Sequence, residues 1–213
     1  MSELKKGKKR GRPAASKELD LEQVLDKAVL VFAEKGFDGA QIKELAKRAG
    51  INTALLHYHF SDKQAIWEQS VAQLGKKLVH RFESVEGYFR DLEGAALAKA
   101  YNRQLIYFSA EFPAFHQIVF HEMCTQTERA DWLYEKVLKP LIDQFLSKLV
   151  PFEKEEVTEQ YKAYMLSIII GTATTFFTHS FQFKKRFGID TFDKQEIEKY
   201  ADFVNDLLFA KFK

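Results

Sequence analysis

Four prolines, ten glycines and a single cysteine in 213 residues leave little material for a turn-rich or disulfide-held fold. Cys124 alone can form no internal disulfide, which excludes the framework of a small secreted domain. Scarce proline and glycine beside twenty phenylalanines point away from β architecture, toward long helices with aromatic interiors. The basic start runs into Gly7, Gly11 and Pro13 rather than an apolar stretch, so no secretory signal is expected. Ala163 to Phe183 lacks charge over a length that could span a bilayer. Yet Thr172, Thr174, Thr175, Thr178, His179, Ser180 and Gln182 make it too polar for lipid, so no membrane partner and a cytoplasmic chain are expected. There is no nucleophile elbow, phosphate-cradling glycine loop or zinc spacing, and we expect neither an enzyme nor a cofactor or metal.

Net charge is small, at +2, but unevenly spread. Residues 1–17 carry seven Lys or Arg against Glu3, a net of +6, which leaves −4 for the remainder. A basic arm on a mildly acidic body suits a polyanion, and equally a solubilising tail. The arm has no apolar periodicity, so it is expected to be disordered when free.

From Asp20 onward the pattern is helical. Asp20 and Gln23 fit a capping box. Leu21, Val24, Leu25, Ala28, Val29 and Phe32 form one stripe, closed by Gly36. Ile42, Leu45, Ala46 and Ala49 mark a second helix ending at Gly50. Asn52 caps a third, to about Phe60, and Ser61 or Asp62 caps a long fourth through Trp67, Val71, Leu74 and Leu78. Later helices are expected at 91–111, 113–125, 127–149, 154–183 and 193–211, with a kink or split at Pro140 and a break at Pro151. The fold class is therefore all-α.

Residues 41–60 have the layout of a helix-turn-helix. Ala46 is small where two helices cross, and Ile42, Leu45, Ile51, Leu56 and Phe60 supply a miniature core. Thr53, Ala54, Leu55, His57 and Tyr58 are left to face outward. A helix this short is unstable alone, so an outward face argues for use. The run Phe32-Ala33-Glu34-Lys35-Gly36-Phe37, the spaced Ile42, Leu45, Ala46, Ala49, Gly50 and Ile51, and Leu56, Tyr58, His59, Phe60 and Lys63 together resemble the TetR family of transcriptional regulators. The resemblance covers about 18–77. It implies a DNA-binding domain there and a ligand-binding and dimerisation bundle over 78–213, in a prokaryotic, nucleoid-associated protein. Its third helix would enter the major groove, with Thr53, Ala54 and Leu55 at bases and Lys43 at a base or phosphate. His57, Tyr58, His59 and Lys63 would hold phosphates. Gln41 stands where the family usually has Ser or Thr, His57 where Tyr is frequent, and Leu55 where a polar residue is common. These departures bear on the operator sequence.

Within the arm, Lys8-Lys9-Arg10-Gly11-Arg12-Pro13 resembles an AT-hook. Its glycine lets the backbone approach a narrow A·T minor groove, and Arg10 and Arg12, with Lys9, meet the negative potential there. In the bundle, Tyr101, Phe108, Phe112, His116, Phe120, Met123 and Cys124, approached by Trp132 and Tyr164, are candidates for a small-molecule pocket or for plain core. Ile168, Thr172, Thr175, Phe176 and His179, with Tyr200, Val204 and Leu208, are candidates for a homodimer face, because helix 154–183 is apolar around most of its circumference. The leading function is a repressor released from a palindromic double-stranded operator by an unidentified small molecule. An architectural A·T-rich DNA binder, or a ligand-binding bundle without DNA function, stays open as an alternative.

Overall fold

Across residues 19–149 and 158–210, which the computed structural model describes, every regular element is helical. The N-terminal helices begin and end where caps and breakers stand. Asp20 Oδ1 accepts from the Gln23 backbone N–H at 3.2 Å and opens α1 (Leu21–Gly39). The stripe Val24, Leu25, Ala28, Val29 and Phe32 is buried, while Leu21 is exposed. Gly36 does not end the helix outright. At φ 67° it kinks the chain, in a region that a Cβ disfavours, and one more turn follows to Gly39. Helix α2 (Ile42–Ala49) ends on left-handed Gly50, and α3 (Thr53–His59) opens at Asn52, whose side chain accepts from Leu55 N–H at 2.7 Å. Leu45, Ala46, Leu56 and Phe60 are buried against α1 and form the expected miniature core.

Asp62 accepts from Ala65 N–H at 2.7 Å and starts α4 (Lys63–Glu86). The boundary expected at 77/78 falls inside this helix. Its inward residues Trp67, Val71, Leu74 and Leu78 share one apolar core with α1 and with Phe115, Ile118, Leu133 and Val137 from farther along the chain. A displacement in the second part is therefore felt in the first, because a packed core is a poor cushion.

The remaining helices are α5 (Gly94–Glu111), α6 (Pro113–Met123), α7 (Glu128–Leu133), α8 (Lys139–Leu149), α9 (Glu159–Thr178), α10 (Ser180–Phe187) and α11 (Lys194–Phe209). The α-helix expected over 127–149 is interrupted ahead of Pro140. Tyr134–Leu138, just ahead of it, forms a π-helical turn that joins α7 to α8. Proline lacks an N–H and crowds the carbonyl four residues back, and the wider turn relieves both. The helix expected over 154–183 stops at Thr178, and its expected start and the Pro151 break lie outside the described residues. The Thr178 hydroxyl donates to the carbonyls of Thr174 and Thr175, and such bonds compete with the helical ladder. Helix α11 is fastened to α5 by a buried amide pair, Asn102 Nδ2 donating to Asn205 Oδ1 at 2.8 Å.

Candidate nucleic-acid interface and ligand cavity

Helix α3 has two unlike faces. Leu56 and the adjoining Phe60 are buried, whereas Thr53, Ala54, His57, Tyr58 and His59 are exposed and Leu55 is half-buried. Tyr58 is 82% exposed, an unusual setting for a tyrosine that has no role outside its own chain. Lys43 and Gln41 are exposed beside this face on α2 and at its N-cap. On the same helix Arg48 is paired with Glu34, and Glu44 with Lys35 at 2.6 Å, so α2 is braced against α1 by its other side chains. The candidate residues Lys9, Arg10 and Arg12 lie outside the described residues.

Lys63 departs from the expectation of a phosphate ligand. Its Nζ donates to the carbonyls of Phe37 at 2.8 Å and Ala40 at 3.1 Å, and stands 4.4 Å from the centre of the Phe37 ring. Carbonyls at a helix end need donors, and this ammonium supplies them. A second cation attends the same ring: the Arg129 guanidinium lies 3.9 Å from its centre. Arg129 also pairs with Glu122, at 3.3 Å from Nε to Oε2, and that carboxylate is 3% exposed. Thus α6 and α7 grip the kinked end of α1, where His121 also lies against Gly36. The contact of Glu122 and Arg129 with Phe37 was not foreseen from the sequence, because nothing in local spacing joins residues so far apart.

A cavity of about 140 Å³ sits in the second part. Phe82 of α4, Leu105 and Phe108 of α5, Phe115, His116 and Val119 of α6, Leu138, the α8 residues Leu141, Ile142 and Phe145, and Leu166, Ile170 and Thr174 of α9 form its wall. Of the expected pocket residues, Phe108 and His116 line it. Tyr101 lines a small annex of about 20 Å³ beyond Phe82, Leu141 and Phe145, which also holds Glu86. Phe112 packs on Phe108 at 5.2 Å outside the wall. Phe120, Met123, Cys124 and Tyr164 are exposed, and Trp132 packs on Trp67 at 5.5 Å, so these five are not pocket residues. Phe120 and Met123 share the face of His116 and Val119 but stand a turn beyond them, past the cavity end of α6. The His116 ring lies between Phe108 and Phe115, its Nε2 is buried without a hydrogen-bond partner, and burial pushes its pKa down to about 4.

The expected dimer face divides in the same way. Phe176 and Val204 are buried inside the chain, Phe176 stacked on Tyr200 at 4.0 Å, and Tyr200 donates to the Thr172 carbonyl at 2.6 Å. These residues join α9 to α11, and Leu208 is half-buried against that cluster. Ile168, Thr175 and His179 remain exposed. Beside them stand Leu207, part of the apolar repeat of the last helix, and two residues not foreseen from the sequence, Phe203 on α11 and Phe181 on α10, each of the three at least 64% exposed. Their i,i+4 spacing on α11 was a visible signal. No helix among the described residues is long and apolar enough to cross a membrane.

A family model described as bacterial regulatory proteins, tetR family, matches residues 24–69. The biofilm operon icaADBC negative transcriptional regulator IcaR of Staphylococcus aureus is 44% identical over 50 residues, which are 24% of this chain and 27% of that protein. The chain thus matches only about a quarter of that relative's length. A transcriptional regulator from Rhodococcus sp. Rha1 superposes with a TM-score of 0.65 at 20% identity, covering 90% of this chain and 97% of that one. The transcriptional regulator FadR from Bacillus subtilis in complex with stearoyl-CoA gives 0.60 at 18%, covering 87% and 97%. These two similarities establish the all-α fold, with its N-terminal helix-turn-helix and following helical domain.

Proposed function

We propose that this chain, whose residues 24–69 match the tetR family of bacterial regulatory proteins, is a homodimeric repressor released from a palindromic DNA operator by a small molecule. The observation that carries the reading is the exposed face of α3, with Tyr58 laid bare on a seven-residue helix whose other side is fully packed. Thr53, Ala54 and Leu55 present methyl groups suited to thymine methyls in the major groove, and Lys43 is suited to guanine or phosphate. Gln41, His57, Tyr58 and His59 take phosphates. Lys9, Arg10 and Arg12 take the flanking A·T minor groove. Negative regulation by IcaR supports repression, and a ligand complex of FadR supports response to a small molecule.

Dimerisation follows from the uncovered apolar surface. Ile168 and Thr175 on α9, Phe203 and Leu207 on α11 and Phe181 on α10 are exposed, and a second copy related by a twofold axis would cover them. In the DNA-bound dimer the two α3 helices stand about 34–36 Å apart, one turn of duplex. Ligand in the cavity moves α6, and α6 acts on the end of α1 through Glu122, Arg129 and Phe37.

The test is binding-site selection with the full chain, followed by titration of the selected duplex at several salt concentrations. We expect a palindrome with T-rich half-sites, and Tyr58→Ala should weaken every sequence about equally with the salt slope nearly unchanged, since a neutral hydroxyl releases no counterion, whereas Lys43→Ala should lower the slope by about 0.9 if it holds a phosphate. Equal affinity for selected and random A·T-rich duplexes would instead mark an architectural DNA binder.

A further inference from the structure

The cavity of about 140 Å³ is walled by phenylalanine, leucine, isoleucine and valine, and among the described residues the only polar side chains on it are His116 and Thr174. An apolar cavity of about 150 Å³ in another protein holds one benzene ring, so the size here is that of a single-ring molecule. Thr174 already donates its hydroxyl proton to the Ile170 carbonyl at 2.9 Å and offers an acceptor only. His116 is the group left without a partner, with Nε2 buried and unbonded. Nε2 has no surface open to the cavity, so an occupant reaches a ring nitrogen once the ring turns about its broad terminal torsion. A buried nitrogen without a partner carries a desolvation cost that a bound hydroxyl removes. Among the described residues no cation lines the wall, and Glu86 stands in the annex beside it, so a carboxylate or phosphate would meet no counter-charge among them.

We infer that the cavity takes a neutral, apolar molecule of single-ring size carrying one hydroxyl, and that His116 is its hydrogen-bond partner. A hydroxyl suits either tautomer of the ring, because it both donates and accepts. Burial holds His116 neutral at pH 7, with its pKa at about 4, which suits a neutral ligand and gives an anion no charge to meet. The inference rests on the reading of this cavity as the effector site.

The experiment is isothermal titration of the full chain at pH 7.5 with four probes of similar size: p-cresol, toluene, 4-methylbenzoate and benzylamine. We expect p-cresol to bind about fivefold or more tighter than toluene, the worth of one hydrogen bond, and both ions to bind at least about tenfold more weakly than p-cresol. His116→Phe should erase the preference for p-cresol while toluene still binds, which also reports an intact cavity, and His116→Gln should restore it. Toluene equal to p-cresol, an ion binding as tightly, an undiminished preference in His116→Phe, or no binding of either neutral probe at millimolar concentration overturns the inference. Operator release by p-cresol is read separately. Selective binding without release keeps this site and removes its inducer role. Operator binding by a chain that takes none of the probes removes this site and leaves the regulator.

Discussion

Arg129→Met separates the two jobs of the side chain that joins the second part of the chain to the first. Glu122 is 3% exposed, and Arg129 is the cation beside it, 3.3 Å from Oε2, while the Thr127 hydroxyl reaches the same oxygen at 3.4 Å. Methionine keeps much of the aliphatic bulk over Phe37 but removes the charge. The carboxylate then stays buried with one long hydrogen bond, a situation that costs about 3–5 kcal/mol. For a chain of this size each kcal/mol moves Tm by about 2–4 °C, so a fall of about 10 °C is expected in calorimetry. Replacing both partners removes the uncompensated charge. Glu122→Leu with Arg129→Met should therefore lie within about 1 kcal/mol of the parent chain in urea unfolding at pH 7. The cycle should close with a coupling of about 2–3 kcal/mol. If Arg129→Met alone unfolds within about 1 kcal/mol of the parent, or the double variant is weaker than the two single losses added, the pair does not hold α6 to α1 in the way described.

Lowering pH should weaken the fold through His116. Its folded pKa of about 4 lies below the ordinary 6.5, so the unfolded chain binds the proton first. This stability is complete above pH 6.5, falls as pH drops toward 4, and amounts to about 3 kcal/mol in all. The difference in urea midpoints between the parent and His116→Phe should trace that window, and a flat difference contradicts it. Gly75→Ala places a Cβ 2.9 Å from Val137 Cγ1 in the stiff π turn. The clash should outweigh the helical gain of about 1 kcal/mol and leave a net loss of about 1 kcal/mol by chemical unfolding. Asn52→Ala removes the cap on Leu55 N–H and should lower stability by about 1 kcal/mol, with weaker operator binding in anisotropy titrations because α3 frays.

The short N-terminal helices were legible because each signal there is local. Asp20, Asn52 and Asp62 cap helices through N–H groups three residues ahead, and the period alone separates Leu56 and Phe60 from the exposed Tyr58. Periodicity tells that a face is apolar, not which neighbour covers it, and the errors follow from that. Phe176 and Val204 read as a dimer face but are covered within the chain, while Phe203 and Leu207 carry the uncovered one. The cavity was placed too far along α6, at Phe120, Met123 and Cys124, because its other walls come from Leu141, Ile142 and Phe145 on a helix that the sequence brings close only in three dimensions.

Lys63 is the most informative of these departures. A lysine at the first position of α4 reads as a phosphate ligand, yet its ammonium holds the Phe37 and Ala40 carbonyls. The same short segment meets Arg129 over Phe37 and His121 against Gly36. The end of α1, where the chain turns toward α2 and α3, is therefore held from α4 on one account and from α6 and α7 on another. Helix α6 also supplies Phe115, His116 and Val119 to the cavity wall. An occupant that pushes on those three side chains loads a helix whose next turn carries His121 and Glu122. Because interior packing leaves little room to absorb a shift, the contacts on Gly36 and Phe37 are where such a load would reach α1, and a double-mutant cycle between His116 and Arg129 read in operator affinity would test that route, no coupling refuting it.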